Sequence, residues 1–175
     1  QAIRNSGFEP SVRLLSAHAA DESSGFSSGR YSMDDVRRML ELEAGDRLIE
    51  HDKVFFADGE PCAFCRDYFG ASVAGGEAGL DELERYDDSL YRFVYNRSGR
   101  LVEWDKVEID VAAPDDLPAV FTSQTPRGAS RPLLCIRSVN YDQDSRPVVC
   151  AVEYVDTSVI RYNLVRQKAV DYQRQ

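Results

Sequence analysis

Apolar residues recur along the chain at two spacings, and the switches between them mark the elements. Alternation with a period of two, the mark of a half-buried strand, runs through residues 10–15, 48–56, 62–69, 100–112, 132–141, 147–155 and 159–165. In residues 100–112 the apolar parity changes between Trp104 and Val107, which predicts a bulge or bend near Asp105. Helical spacing places Met33, Val36, Met39 and Leu40 on one face, opened by Ser32 as N-cap with Asp35 in the acidic position of a capping box, and closing near Gly45. A second helix is predicted over residues 89–95, with Asp88 as N-cap and Gly99 just past its end. A third starts at Pro114-Asp115-Asp116 and stops near Ser123. Residues 21–29 read as loop, and 74–88, Gly-rich and then acidic, as loop with one helical turn at most. Asp58-Gly59 between two alternating runs is a hairpin signal.

That hairpin recurs. Moved 86 positions, Leu48 falls on Leu134, Asp58 on Asp144, Pro61 on Pro147 and Tyr68 on Tyr154. Phe55 then matches Tyr141, Asp67 matches Glu153, and His51 falls on Arg137. A duplicated strand unit predicts an α+β fold: a pseudo-symmetric antiparallel sheet of about six strands, with a few helices packed on one face. Arg137 interrupts an apolar run, and a buried guanidinium needs an anion. Either it forms a structural ion pair with Glu153 or Asp142, or it clamps a ligand carboxylate or phosphate through two parallel hydrogen bonds. His51 is either a satisfied structural residue or a second cationic group of such a site. Ser89, at a helix start beside free N–H groups, is either a cap or part of an anion site.

The 175 residues, 19.7 kDa in all, suit one domain. With 21 Lys and Arg against 30 Asp and Glu, the net charge of −9 disfavours direct binding of nucleic acid or an anionic membrane. No apolar run is long enough to span a bilayer, and the first five residues carry no signal-peptide core, so a cytoplasmic protein without membrane association is expected. Cys62 and Cys65 have CxxC spacing but no second pair and no clustered His. Together with Cys135 and Cys150 they read as core thiols. Neither a metal nor a cofactor is expected.

The chain resembles the UTRA domain, the effector-binding domain of GntR-superfamily transcription regulators of the HutC type, from about residue 7 to 166. Gly7-Phe8-Glu9-Pro10, Leu42-Glu43-Ala44-Gly45-Asp46, Ala57-Asp58-Gly59-Glu60-Pro61, Ser89-Leu90-Tyr91, Leu133-Leu134-Cys135-Ile136-Arg137 and Arg146-Pro147-Val148 carry the resemblance through their order and spacing. It implies a single chorismate-lyase-like domain that binds a small anionic metabolite, a sugar phosphate or a carboxylate. It also implies a homodimer, and an upstream winged helix-turn-helix, not within these residues, that contacts operator DNA and responds through dimer rearrangement. The effector-binding residues implied are Arg137 and Ser89 at the anion, His51 where the family often carries Arg, and Val149 where it often carries Glu. Glu153 and Tyr154 complete the candidate set. Residues 155–160 replace the family's Tyr-Arg-x-Asp-Arg-Tyr signature, so a less hydroxylated anion fits as well as a phosphorylated amino sugar. No catalytic role is expected. The alternatives are a chorismate-lyase-like enzyme, with Arg137 as clamp and Glu153 or Asp67 as acid, and a stand-alone ligand-binding module.

Overall fold

The computed structural model describes residues 2–20, 31–83, 85, 89–124 and 131–163. Six antiparallel strands form one sheet in the order β1-β2-β3-β6-β5-β4. They span Pro10–Ala19 (β1), Leu48–Ala57 (β2), Glu60–Gly70 (β3), Val102–Ala112 (β4), Leu133–Asp142 (β5) and Pro147–Val155 (β6). Each half is a meander of three consecutive strands, and the halves join along β3 and β6. The two-residue turn at Asp58 and Gly59 has φ of 50° and 82°. Both positive values match the twist of the flanking strands, and Asp and Gly tolerate them best.

The helices are α1 (Ala2–Asn5), α2 (Met33–Met39), α3 (Glu77–Leu83), α4 (Leu90–Ser98) and α5 (Ala119–Thr122), with 3₁₀ turns at Ala71–Ala74 and Pro114–Asp116. They cover both faces of the sheet rather than one. Val36 and Leu40 from the α2 region and Phe121 from α5 pack on Leu48, Val54, Phe64, Tyr68, Val152 and Tyr154. On the opposite face Leu83, Leu90, Phe93 and Val94 pack on Ile49, Phe69, Val148 and Val149. β3 and β6 are therefore buried on both sides along most of their length, which is why their apolar alternation is blurred by continuous runs.

The capping box at Ser32 forms as the sequence requires, Ser32 Oγ accepting from the Asp35 amide and Asp35 Oδ2 from the Ser32 amide. Four local expectations differ, the first being the helix expected from Pro114 to near Ser123, which is broken at Leu117 and Pro118 into a 3₁₀ turn and α5. α3 makes nearly two turns where a loop with one helical turn at most was expected, because Leu83 is buried against the 3₁₀ turn and Gly79 lets the helix close on the Ala74 carbonyl. The β4 bulge falls between Val102 and Trp104, not at Asp105, and Trp104 keeps regular alternation by stacking on Tyr141 across the strand pair, centroids 4.1 Å apart. Residues 157–159 form a turn and 160–163 no regular element, so the final strand is absent up to residue 163 and its remainder lies outside the described residues, as do the loop at 21–29 and the Asp88 cap. Ser89 caps α4 instead.

Phe64 is fully buried between Phe121 and Tyr154, centroids 5.5 and 6.2 Å away. Replacing it with Ala should cost about 3–5 kcal/mol, read from urea denaturation midpoints; a loss under about 1 kcal/mol would show that this side of the sheet is not the principal core.

Candidate functional site

Alternation fixes which side chains of the sheet centre share a face. On the α4 face lie His51 and Lys53 of β2, Cys65 and Asp67 of β3, and Glu153 of β6. Asp67 is the hub. Its Oδ2 stands 2.8 Å from Lys53 Nζ and 3.2 Å from His51 Nδ1, and its Oδ1 accepts from the Cys65 thiol at 3.3 Å. Burial works to raise the Asp67 pKa, but Lys53 and then His51 outweigh it and hold the carboxylate well below its ordinary range. Lys53 is affected reciprocally: burial alone would lower its pKa, and Asp67 drives it above the ordinary lysine value.

Glu153 lies across the β3–β6 seam, and among the described residues no basic side chain is in ion-pair contact with it. Its Oε2 accepts a 3.3 Å hydrogen bond from the Tyr162 hydroxyl. Burial, and next the Asp67 charge, push its pKa up. It borders a cleft of about 730 Å³ between β4, β5, β6, the N-terminal turn of α4 and residues 157–163. Val107, Ile109, Leu134, Ile136 and Ile160 make the apolar wall; Tyr91, Asp105, Ser138, Glu153, Arg161 and Tyr162 bring polar groups. The Tyr91 hydroxyl donates to Asn140 Oδ1 at 3.0 Å, tying α4 to β5 at the cleft margin.

The opposite face holds a separate, closed network. Arg66 grips Asp52 through Nε and Nη2, at 2.7 and 2.6 Å, and reaches Glu50 at 3.2 Å, while the Tyr68 hydroxyl donates to Glu50 at 2.8 Å. A smaller hollow of about 150 Å³ on this face is bordered by Tyr31, Lys106, Glu108, Arg137 and Tyr141.

The six residues singled out in the sequence are thus divided. Glu153 faces the cleft. His51 lies on the same face but buried, against Asp67 and edge-on to Phe69. Ser89 is the N-cap of α4, two residues before Tyr91, and makes no side-chain hydrogen bond to that helix's own amides. Val149 is buried beneath α4. Arg137 and Tyr154 are on the α2 face, Tyr154 wholly in the core. Arg137 lies 3.6 Å from Asp110 rather than at Glu153, which is on the other face, or at Asp142, which binds Arg100. The pairing of Arg137 with Glu153 or Asp67 that a lyase mechanism needed is therefore not assembled. Lys53, Tyr91, Ser138 and Tyr162 were not foreseen; the only sequence signal was Lys53 two positions from His51, which puts both on one strand face.

The register also corrects the equivalence of His51 and Arg137. Asp67 pairs with His51, whereas its counterpart Glu153 pairs with Ile136; Arg137 pairs with Val152 and corresponds to Asp52. Residues of β6 follow β3 by 86 positions, but those of β5 follow β2 by 85, because the second hairpin turn is longer.

Two three-stranded meanders joined edge to edge, helices on both faces and an apolar cleft with a few polar groups define a ligand-binding α+β domain. Residues 30–161 match the model of the UTRA domain, and the chain belongs to that family. The fold matches the effector domain of PhnF from Mycobacterium smegmatis with a TM-score of 0.70 and 20% identity, over 95% of this chain and 92% of that one. Against the longer PhnF chain the TM-score is 0.71 at 20% identity, with 95% of this chain and 66% of that one covered. The ligand-binding domain of a Bordetella bronchiseptica protein assigned to the GntR-family transcriptional regulators matches with a TM-score of 0.71 and 16% identity, over 91% and 90% of the two chains. Identities this low speak for the fold alone. No curated protein matches the chain in sequence. No helix among the described residues is long and apolar enough to cross a membrane.

Because Asp67 titrates below its ordinary value of 3.8 in the folded protein, its contribution is full above that value and fades as the pH falls through the folded pKa. Asp67→Asn leaves Lys53 without its carboxylate and should cost about 3–5 kcal/mol at neutral pH. In melting curves run toward acid, the gap between the variant and the parent should narrow below about pH 4; a gap that stays constant would remove Asp67 from the role of charged hub.

Proposed function

We propose that this domain senses a small-molecule effector in the cleft on the α4 face and relays its occupancy to an operator-binding module of a GntR-type transcriptional regulator. The observation that carries the reading is the cleft itself, apolar-walled with convergent polar groups, in a domain of the UTRA family. Glu153, Tyr91, Ser138 and Tyr162 contact the effector. His51 and Lys53 act from below by fixing Asp67. Ser89 orients the first turn of α4, which carries Tyr91.

A mechanical route to the N-terminus supports the relay. Ile160 borders the cleft and also belongs to the buried cluster that contains Ile3 of α1, with Ala57, Cys62 and Val155. A ligand that draws residues 160–162 inward repacks α1, the segment next to an upstream winged helix-turn-helix. In a homodimer this biases the spacing of the two operator-binding modules, a population shift between two arrangements. The regulator acts in the cytoplasm, and the domain performs no catalysis.

A thermal-shift screen of sugar phosphates, amino acids, carboxylates and amines tests the reading. A true effector at about a hundredfold its dissociation constant stabilises by about 2.7 kcal/mol, a shift of roughly 5–10 °C for a domain of this size. The shift should vanish in Ile136→Trp, which fills the cleft, and persist in Arg137→Ala, which alters the opposite face. The reverse pattern would move the effector to the hollow beside Arg137.

A further inference from the structure

We infer that the effector carries a positively charged amine on an apolar body, and that its ammonium group takes beside Glu153 the position that the Lys53 side chain takes beside Asp67 in the other half of the sheet. This rests on the reading of the cleft as the effector site and names the chemistry it selects.

The pseudo-symmetry makes the comparison internal to the molecule. Asp67 and Glu153 are counterparts on β3 and β6, and both face the α4 side. In the first half the neighbouring strand supplies two basic groups to its acid: His51 directly opposite Asp67, and Lys53 diagonally, at 2.8 Å. In the second half the same two positions of β5 are Ile136, opposite Glu153, and Ser138, opposite Ala151. The acid was kept and its internal cations were replaced by an apolar side chain and a small hydroxyl. Among the described residues no basic side chain lies within ion-pair distance of Glu153, which accepts its hydrogen bond from the Tyr162 hydroxyl. Removing Lys and His from those positions also opens space, and Ile136 and Ser138 border the cleft.

The remaining charges agree. Asp105 adds a second carboxylate to the cleft margin. Lys53 and His51 both bind Asp67, and the Lys53 charge is felt by Glu153 only across the seam, without contact, so neither is offered to a ligand anion. Arg161, the one basic residue bordering the cleft among those described, is exposed at its rim, where solvent screens it. The Tyr162 hydroxyl binds Glu153 and Tyr91 borders the same cleft, and aromatic rings near a carboxylate favour ammonium groups. Val107, Ile109, Leu134 and Ile160 would receive the apolar body.

Phenethylamine and 3-phenylpropionate, alike in shape and opposite in charge, distinguish the two signs when titrated into the 175-residue chain and followed by protein-observed NMR. The amine should bind at least about tenfold more tightly than the carboxylate, and Glu153→Gln, which keeps shape and removes charge, should lose at least about tenfold in amine affinity. Equal or tighter binding of the carboxylate, an amine affinity unchanged in Glu153→Gln, or no binding of either probe would overturn the charge assignment. Carboxylate binding that is abolished by Ile136→Trp would overturn it while leaving the cleft as the effector site. Amine binding that survives Ile136→Trp would overturn the cleft reading itself.

Discussion

A sheet covered on both faces must satisfy every charge it buries at its centre, and this constraint orders the whole molecule. Unpaired, a buried ion costs several kcal/mol, and removing one partner of a pair exposes that cost. On the α2 face Arg66 is held by Asp52 and Glu50, and Tyr68 completes the second carboxylate. On the α4 face Asp67 gathers Lys53, His51 and Cys65. These groups are consumed by the fold. What is left over near the same centre, Glu153 with one tyrosine hydroxyl, is what the protein can offer to something else.

The closure of those networks also explains the thiols. Cys65 is wholly buried, and burial followed by the Asp67 charge keeps it protonated. Burial pushes Cys62 up to about 11 and Cys150 up to about 12. A thiol that does not ionise is neither nucleophile nor ready metal ligand. The CxxC spacing of Cys62 and Cys65 is a by-product of two small apolar residues in a strand buried on both sides.

Much of the fold was legible in the sequence because local chemistry and tertiary need agreed. Asp58-Gly59 fits only a tight turn, and Ser32 with Asp35 fits only a helix start. Where they disagreed, the sequence misled. Gly75, Gly76 and Gly79 read as loop, yet the lack of a side chain at Gly79 is what lets α3 approach Ala74 so closely. The site was harder to read because it depends on face, and face depends on register. A turn longer by one residue sends Arg137 to the α2 side while Glu153 stays on the other, so a shift of constant length joined two residues that the sheet separates. Tyr91 and Tyr162 come from outside the repeat and meet Glu153 only through the packing of α4 and residues 157–163.

The duplicated plan then gives the binding face its logic. Both halves carry an acid at the same place on the central strand pair, so the scaffold has already solved the problem of burying a carboxylate there. In one half the chain supplies the counter-charge itself, and α3 and α4 pack over Ile49 and Phe69 beside it. In the other half, Ile136 and Ser138 stand where His51 and Lys53 would close the site, and β4 presents Val107, Ile109 and Val111 with no helix over them among the described residues. Two positions on one strand thus separate a carboxylate paired with a lysine from one that, among the described residues, has no basic side chain in contact. A ligand that fits completes the second half in the image of the first, and the energy that Lys53 contributes permanently on one side becomes, on the other, conditional on the ligand's presence. Such conditional stability, located where Ile160 also supports Ile3, is what a sensor needs in order to report.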